Sequence, residues 1–486
     1  MENRKFDINS VIGFLLIGAI LLWLLYNESN TPQPEAEKTT TEQVESKDTS
    51  NESIAPPKEA IVAQNDSART VQAQKALGTF AYSAGLPSAT ENITRLENDL
   101  LVLKIANKGG QIVEAKLKDF KAHDSVPIYL IKDGNAAFGL KIHTRDGKTI
   151  NTEDMYFAPE LSADGTRLSM KLKISENDYL EYIYSLRPGE YMLDFNIRSQ
   201  GLESAIQTSE AAVLTWKMKT FSHEKSVSYE NRYTEIAYAY ENGKDDYTGQ
   251  QSKDEQEDKE IEWVAFKQHF FTSILLADEA FDKGIFVSEN LVKDDQVDTL
   301  FTKAFSATMP LNLKAGEFNK SMNWYFGPVD YQILKDYDRN LDEMISLGWG
   351  IFGWINKFLV IPFFDFLIGI MPAGIAIICL TILFKLLLSP VQYKQYLSKA
   401  KMKILRPEIQ EIQKKYKDNP MKRQQETMAL QNKAGASPLA GCLPSLMQIP
   451  IFYALFMFFP SVFDLRNEKF LWVDDLSSYD VIAHLP

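Results

Sequence analysis

Hydrophobic and polar positions are distributed along this chain in blocks, and the blocks predict its elements. Residues 8–27 carry no charge and are mostly apolar. At about 1.5 Å rise per residue, such a helix crosses a bilayer core of about 30 Å. No small-x-small cleavage pattern follows, so the block reads as an uncleaved transmembrane anchor rather than a removed signal. Residues 28–90 are rich in Glu, Lys, Thr, Ser, Gln and Pro without an apolar period, the composition of a disordered tether. From 91 to 335 the pattern is that of strands. Leu100–Ile105 and Ile112–Leu117 flank Asn107-Lys-Gly-Gly110, and Tyr179–Tyr184 and Tyr191–Ile197 flank Arg187-Pro-Gly-Glu190. Both read as hairpins, and their repetition predicts a large antiparallel β-sandwich. The acidic stretch Glu241–Glu260 reads as a solvated loop. The many tyrosines and phenylalanines of this domain are expected in its core, with an aromatic cleft for sugar or peptide as the alternative.

Residues 341–364 mix tryptophan, phenylalanine and aliphatic positions with Asn356 and Lys357, and Pro362 closes the run. They predict an interfacial amphipathic helix, with burial against the sandwich as the competing reading. Residues 366–388 form a second spanning candidate, uncharged from Phe366 to Phe384 and then interrupted by Lys385. Ser389 and Pro390 mark its end. In 391–433 apolar residues recur at helical spacing on both sides of Lys417-Asp-Asn-Pro420, predicting a helical hairpin. Residues 439–462 are a third span, expected to start near Pro444 and to kink at Pro450, with Gln448 at membrane depth. Residues 464–486 are mixed and read as an outer segment.

Charge orients these blocks. Between Lys394 and Lys433 there are eleven Lys or Arg and four Asp or Glu, whereas Asn27 to Ala60 holds eight acidic residues and three lysines. The positive-inside rule puts 391–433 in the cytoplasm and the tether outside. The expected topology is N-terminus in, 27–365 out, 391–433 in and 464–486 out. The basic hairpin suits either anionic lipid or a carrier of nascent chains. The net charge of −13 over 486 residues argues against a specific nucleic-acid partner. Cys379 and Cys442 lie in apolar stretches and read as inert buried thiols, and five scattered histidines show no metal-ligand spacing. No phosphate loop, dinucleotide fingerprint or nucleophile elbow is present, so no cofactor or metal is expected. Lys385 carries the candidate chemistry. A cation at the centre of a spanning helix costs roughly 2.5–3.5 kcal/mol on insertion scales. Either it lines a wet path, or its amine snorkels to the headgroups.

Several ordered motifs resemble the bacterial YidC membrane protein insertase family. Thr381-Ile-Leu-Phe-Lys385 with Ser389-Pro390 is similar to that family's second spanning helix. Ala400-Lys-Met-Lys-Ile-Leu-Arg-Pro-Glu-Ile409 is similar to its cytoplasmic hairpin. Asn432-Lys-Ala-Gly-Ala-Ser-Pro-Leu-Ala-Gly-Cys-Leu-Pro444 and Gln448-Ile-Pro-Ile-Phe452 are similar to its third span. Trp263–His269 and Asn323–Tyr331 resemble segments of the periplasmic domain of members from bacteria with two membranes. The chain departs from the pattern at Lys385, where the family usually has arginine, so charge is kept and forked donor geometry is lost. The resemblance also implies three more spanning helices beyond Pro486, and hence a C-terminally truncated chain.

The resemblance implies a polytopic α-helical protein of the bacterial inner membrane, with a large periplasmic antiparallel β-sandwich and a cytoplasmic helical hairpin. It implies a non-enzymatic insertase and chaperone acting alone or with the Sec translocon. Nascent membrane proteins, the ribosome, the translocon and membrane lipid are its expected partners. A hydrophilic groove would be set by Lys385, with Thr381 and Gln448 as polar lining. Two rivals stay open on residues alone: a membrane-anchored carbohydrate-active sandwich, and a structural tether between outer domain and membrane.

Overall fold

The computed structural model describes residues 77–293, 300–314, 316–434 and 443–479. The expected anchor 8–27, tether residues 28–76, Cys442 and the end of the outer segment lie outside the described residues. All described residues belong to one unit, Gln64–Pro486.

The tether reading fails at its C-terminal end. Gly78–Phe80 and helix α1 (Ala81–Ala84) form a turn whose Phe80 ring is fully buried. One aromatic side chain with a core site to fill is enough to fix a polar segment locally.

Among the described residues, two antiparallel sheets make the outer domain. The smaller has four strands in sequence order, Ile93–Glu97, Leu101–Ala106, Ile112–Lys121 and Pro127–Ile131. The larger has thirteen. Its main path runs Thr149–Asn151, Ala136–His143, Ala212–Phe221, Phe301–Leu311, Phe271–Asn290, Asn319–Pro328, Met192–Gln200, Tyr179–Leu186, Arg167–Lys173, Ala158–Leu161. Both expected hairpins are present in register, with Leu101 opposite Leu117 and Leu193 opposite Leu186. The long strand Phe271–Asn290 turns a corner. Its first part pairs with Asn319–Pro328 and its last part with Phe301–Leu311. The two sheets share one core, in which Trp216 stacks on Phe266 at 3.7 Å between ring centres. Tyr182, Tyr184, Trp263 and Phe195 are also buried, so these aromatics serve packing rather than an open cleft.

The acidic stretch 241–260 is not a loop. It contains the strand Lys244–Thr248 and the start of the strand Lys253–Lys267, which runs beside Phe281–Glu289. Its polar residues are tolerated because both segments are solvated, and the strands Glu235–Tyr240 and Phe281–Glu289 supply their ladders.

After helix α2 (Val227–Tyr233) within the sandwich and α3 (Tyr331–Asp336) beyond it, the chain enters its helical part. The expected helix 341–364 is displaced. Leu341–Met344 is a single 3₁₀ turn, and helix α4 runs from Ile351 to Ile368. Pro362 does not end it. A π-helical segment, Asn356–Val360, precedes the proline and changes the hydrogen-bond spacing there, so the missing N–H is absorbed. The helix expected as the second span therefore starts at Ala373 rather than Phe366, after a break at Gly369–Pro372. This helix, α5, continues to Lys415 through Pro390 and Pro407. Pro390 leaves the carbonyl of Leu386 without its usual donor, and the Ser389 hydroxyl donates to that carbonyl at 2.8 Å. Ser389-Pro390 is thus a self-compensated pair, not a terminator. Helix α6 (Pro420–Lys433) folds back on α5, burying Leu405 and Gln431. Helix α7 spans Leu443–Ser461 and carries Pro450 inside it.

Candidate substrate groove

Helix α5 buries one stripe, Ala376, Leu380 and Phe384, against its neighbours. About 100° round the helix from that stripe, Thr381, Lys385 and Ser389 follow one another at intervals of four, and all three are exposed. The Thr381 hydroxyl donates to the carbonyl of Ile377 at 2.9 Å, which satisfies it within its own helix. Cys379, expected as a buried thiol, is only half-buried.

Gln448 lies on α7 and is exposed. Among the described residues no hydrogen bond joins it to Thr381 or Lys385. Its distance from the end of its own helix nevertheless matches that of Lys385. Lys385 lies twelve residues beyond Ala373, ~18 Å along the axis, and Gln448 lies thirteen residues before Ser461, ~20 Å. The end of α7 is tied directly to the sandwich, and the start of α5 packs on the segment that follows α7. Gly374 leaves room for the Phe470 ring, which a Cβ there would overlap. The Pro460 carbonyl accepts from His269 Nε2 at 2.8 Å.

Sequence reasoning missed that joint. Arg466 Nε donates to Glu224 Oε1 at 2.7 Å with both side chains buried, and its guanidinium sits 4.9 Å from the ring centre of Phe271. Phe463 packs edge-on against Phe120 and Phe271. Burial pushes the Glu224 carboxyl up, and Arg466 opposes that shift. Burial holds His223 and His269 down at about 4, so both are neutral at pH 7. Glu230 is pushed up to about 8 by burial and by Glu224, against the N–H groups of Glu224 and His223 and the Ser222 hydroxyl that donate to it. A second tie uses Asn356, fully buried in α4. Its amide donates to the carbonyls of Leu347 at 2.7 Å and Ala454 at 2.8 Å. The sequence shows Asn356 only as a polar interruption. A signal was present, since a lone amide in an apolar helix usually has protein partners.

A family model described as the YidC periplasmic domain matches residues 93–362, and one described as 60Kd inner membrane protein matches residues 363–486. A membrane protein insertase YidC from Parabacteroides distasonis is 35% identical over 98% of this chain and 78% of its own length. The chain belongs to the YidC membrane protein insertase family. A second YidC relative, from Porphyromonas gingivalis W83, is likewise 35% identical, over 98% of this chain and 78% of its own. A crystal structure titled as an active YidC insertase with its first transmembrane domain resolved is 16% identical and covers 83% of this chain and 82% of its own, with a TM-score of 0.28. Membership makes this a protein of membrane insertion at the inner membrane, with nascent membrane proteins as substrates. The joint at Glu224 and Arg466 ties together the two regions that these family models match.

Proposed function

We propose that the chain works as a multi-pass insertase in which the exposed stripe Thr381–Lys385–Ser389 offers a polar, positively charged path to incoming segments, with Gln448 facing the same depth. The observation that carries this reading is the depth of Lys385. It lies nine residues before Lys394, ~14 Å along the helix, which is farther than a lysine stem reaches. The exposed Tyr393 and Tyr396 sit where an aromatic belt is expected on the cytoplasmic side. Lys385 is therefore held inside the hydrocarbon zone, where a cation needs water or an acidic partner. A wet path shortens the apolar distance a polar tail must cross, and the ammonium favours acidic residues in that tail. Completion is driven by burial of the client's apolar surface in lipid. No bond is made or broken, so the reading is non-enzymatic.

The basic end of α5 together with α6 is the proposed contact for the ribosome or the emerging chain. Cooperation with the Sec translocon is proposed alongside independent action. The test replaces Lys385 in a complemented depletion strain and scores protease accessibility of a short acidic-tailed client. Lys385→Arg is expected to support insertion, and Lys385→Glu to impair it, most for acidic tails. Equal insertion by the Lys, Gln and Glu forms would return Lys385 to snorkelling.

A further inference from the structure

Helix α5 joins two parts that pack separately. Its first half buries Ala376, Leu380 and Phe384 and packs on α4 and α7. Its second half buries Leu405 where α6 folds back on it. Among the described residues, none from Lys385 to Leu397 is buried. With little side-chain packing to brace it, this connecting stretch depends on its backbone hydrogen bonds.

Pro390 lies near the middle of that stretch and removes one of those bonds. It has no N–H for the Leu386 carbonyl, and its ring crowds the same carbonyl. The Ser389 hydroxyl fills the gap, donating to the Leu386 oxygen at 2.8 Å. A hydroxyl differs from the N–H it replaces in one respect. It turns about its own side-chain torsion, so this bond opens without unwinding a turn of helix.

Ser389 is also exposed to whatever passes along α5. The interval of four that links Thr381, Lys385 and Ser389 continues through Tyr393 to Leu397, and all five are exposed. A segment lying along this face touches the helix on both sides of Pro390. Its contacts then differ with the angle between the two halves, which is what a ligand needs in order to shift a conformational equilibrium.

We propose that Ser389 and Pro390 form a hinge in α5, with Ser389 as the positioning residue that sets the angle between the Lys385 stripe and the basic hairpin. With its hydroxyl on the Leu386 carbonyl, the helix is held as one rod. A polar group of an incoming membrane segment draws the hydroxyl away, the Pro390 ring pushes the freed carbonyl outward, and the hairpin swings. Occupancy of the face is thereby passed to the hairpin. The swing driven by a client rests on the reading that incoming segments use this face; the hold of the hydroxyl on the angle needs no role of Lys385.

The experiment places spin labels at Ile378 and Gln424, one in each part, in the full chain with its own cysteines replaced by serine. Both positions are exposed. Their separation is read in nanodiscs by double electron–electron resonance. Without client, the wild-type chain is expected to show one main distance. Ser389→Ala is expected to raise the share of a second distance about fivefold, the population that one hydrogen bond holds back. Ser389→Thr keeps a hydroxyl and is expected to match the wild type. Pro390→Ala restores the N–H, so it is expected to show the first distance alone, and Ser389→Ala added to it is expected to change nothing. A reconstituted single-span peptide with a polar, acidic tail is expected to raise the second distance in the wild type and not in Pro390→Ala. A Ser389→Ala effect of equal size in the wild-type and Pro390→Ala backgrounds would show that the hydroxyl does not stand in for the missing N–H, and would overturn the hinge. An unchanged distance distribution in Ser389→Ala would do the same. Wild-type distances that ignore the peptide would overturn the coupling to clients. The client-free effect of Ser389→Ala is expected to persist in Lys385→Gln, so the hinge and the charge reading fail separately.

Discussion

Replacing Arg466 with leucine should detach the segment after α7 from the sandwich, and the loss should depend on pH in a calculable way. The guanidinium is 3% exposed and the Glu224 carboxylate 9%, so their pair is not screened by solvent. Removing one partner of a buried pair costs about 3–5 kcal/mol. Glu224 can instead take up a proton, which caps the electrostatic cost. In the unfolded chain its carboxyl titrates at the ordinary 4.5, so holding it neutral at pH 7 costs about 3.4 kcal/mol. At pH 5 the same protonation costs about 0.7 kcal/mol. Leucine keeps some contact with the Phe270 and Phe271 rings but gives up the cation–π term, ~1 kcal/mol at either pH. Arg466→Leu is thus expected to destabilise by about 4 kcal/mol at pH 7 and by under half of that at pH 5. Glu224→Gln in the same chain should recover most of the pH 7 loss, because a neutral amide needs no counter-charge. The assay is amide hydrogen exchange of residues 463–479 in nanodiscs at both pH values, with thermal unfolding followed by tryptophan fluorescence. A loss of equal size at pH 5 and pH 7, or no recovery in the double variant, would show that the ion pair is not what holds this segment.

Further expectations come from other parts of the structure. Glu230 is held up at about 8 by burial, so the folded chain binds more protons than the unfolded one between the ordinary glutamate range and pH 8. Its contribution is present at low pH and fades as pH rises, by up to about 2 kcal/mol from pH 6.5 to 8. Glu230→Gln should flatten that decline in thermal melts. His223 and His269, held down at about 4, act with the opposite sign and only below their ordinary value of 6.5. Asn356→Leu leaves the Leu347 and Ala454 carbonyls without their donor, at about 1–3 kcal/mol each, and should lower the melting temperature measured in nanodiscs. Gly353→Val drives a Cβ into the carbonyl oxygen of Gly348 and should raise proteolysis at 346–350 without changing the far-ultraviolet circular dichroism. For topology, Ser46→Cys and Gln424→Cys, each in a chain whose own cysteines are replaced by serine, should react with an impermeant maleimide from opposite sides of the membrane. Labelling from one side would reverse the charge-based orientation.

What the sequence determined by itself was set by local or periodic physics. Alternation around Asn107-Lys-Gly-Gly110 and Arg187-Pro-Gly-Glu190 specified two hairpins, because turn residues and a period of two act over a few positions. The basic character of 394–433 and the place of Lys385 in an uncharged helix were likewise readable, since a charge needs no partner to be noticed. Helix limits were not, because they depend on compensation elsewhere. Pro390 reads as a stop until the Ser389 hydroxyl is seen on the Leu386 carbonyl, and Pro362 reads as a stop until the π-helical segment before it is known. The strands within 241–260 exist because Glu235–Tyr240 and Phe281–Glu289 offer them ladders, which no local propensity encodes. Tertiary structure alone decided the pairing of Glu224 with Arg466 and the seat of Asn356 between Leu347 and Ala454. Glu224 and Arg466, and Asn356 and Ala454, are distant in sequence, and only the packed chain puts a buried charge or amide beside the groups that offset its desolvation.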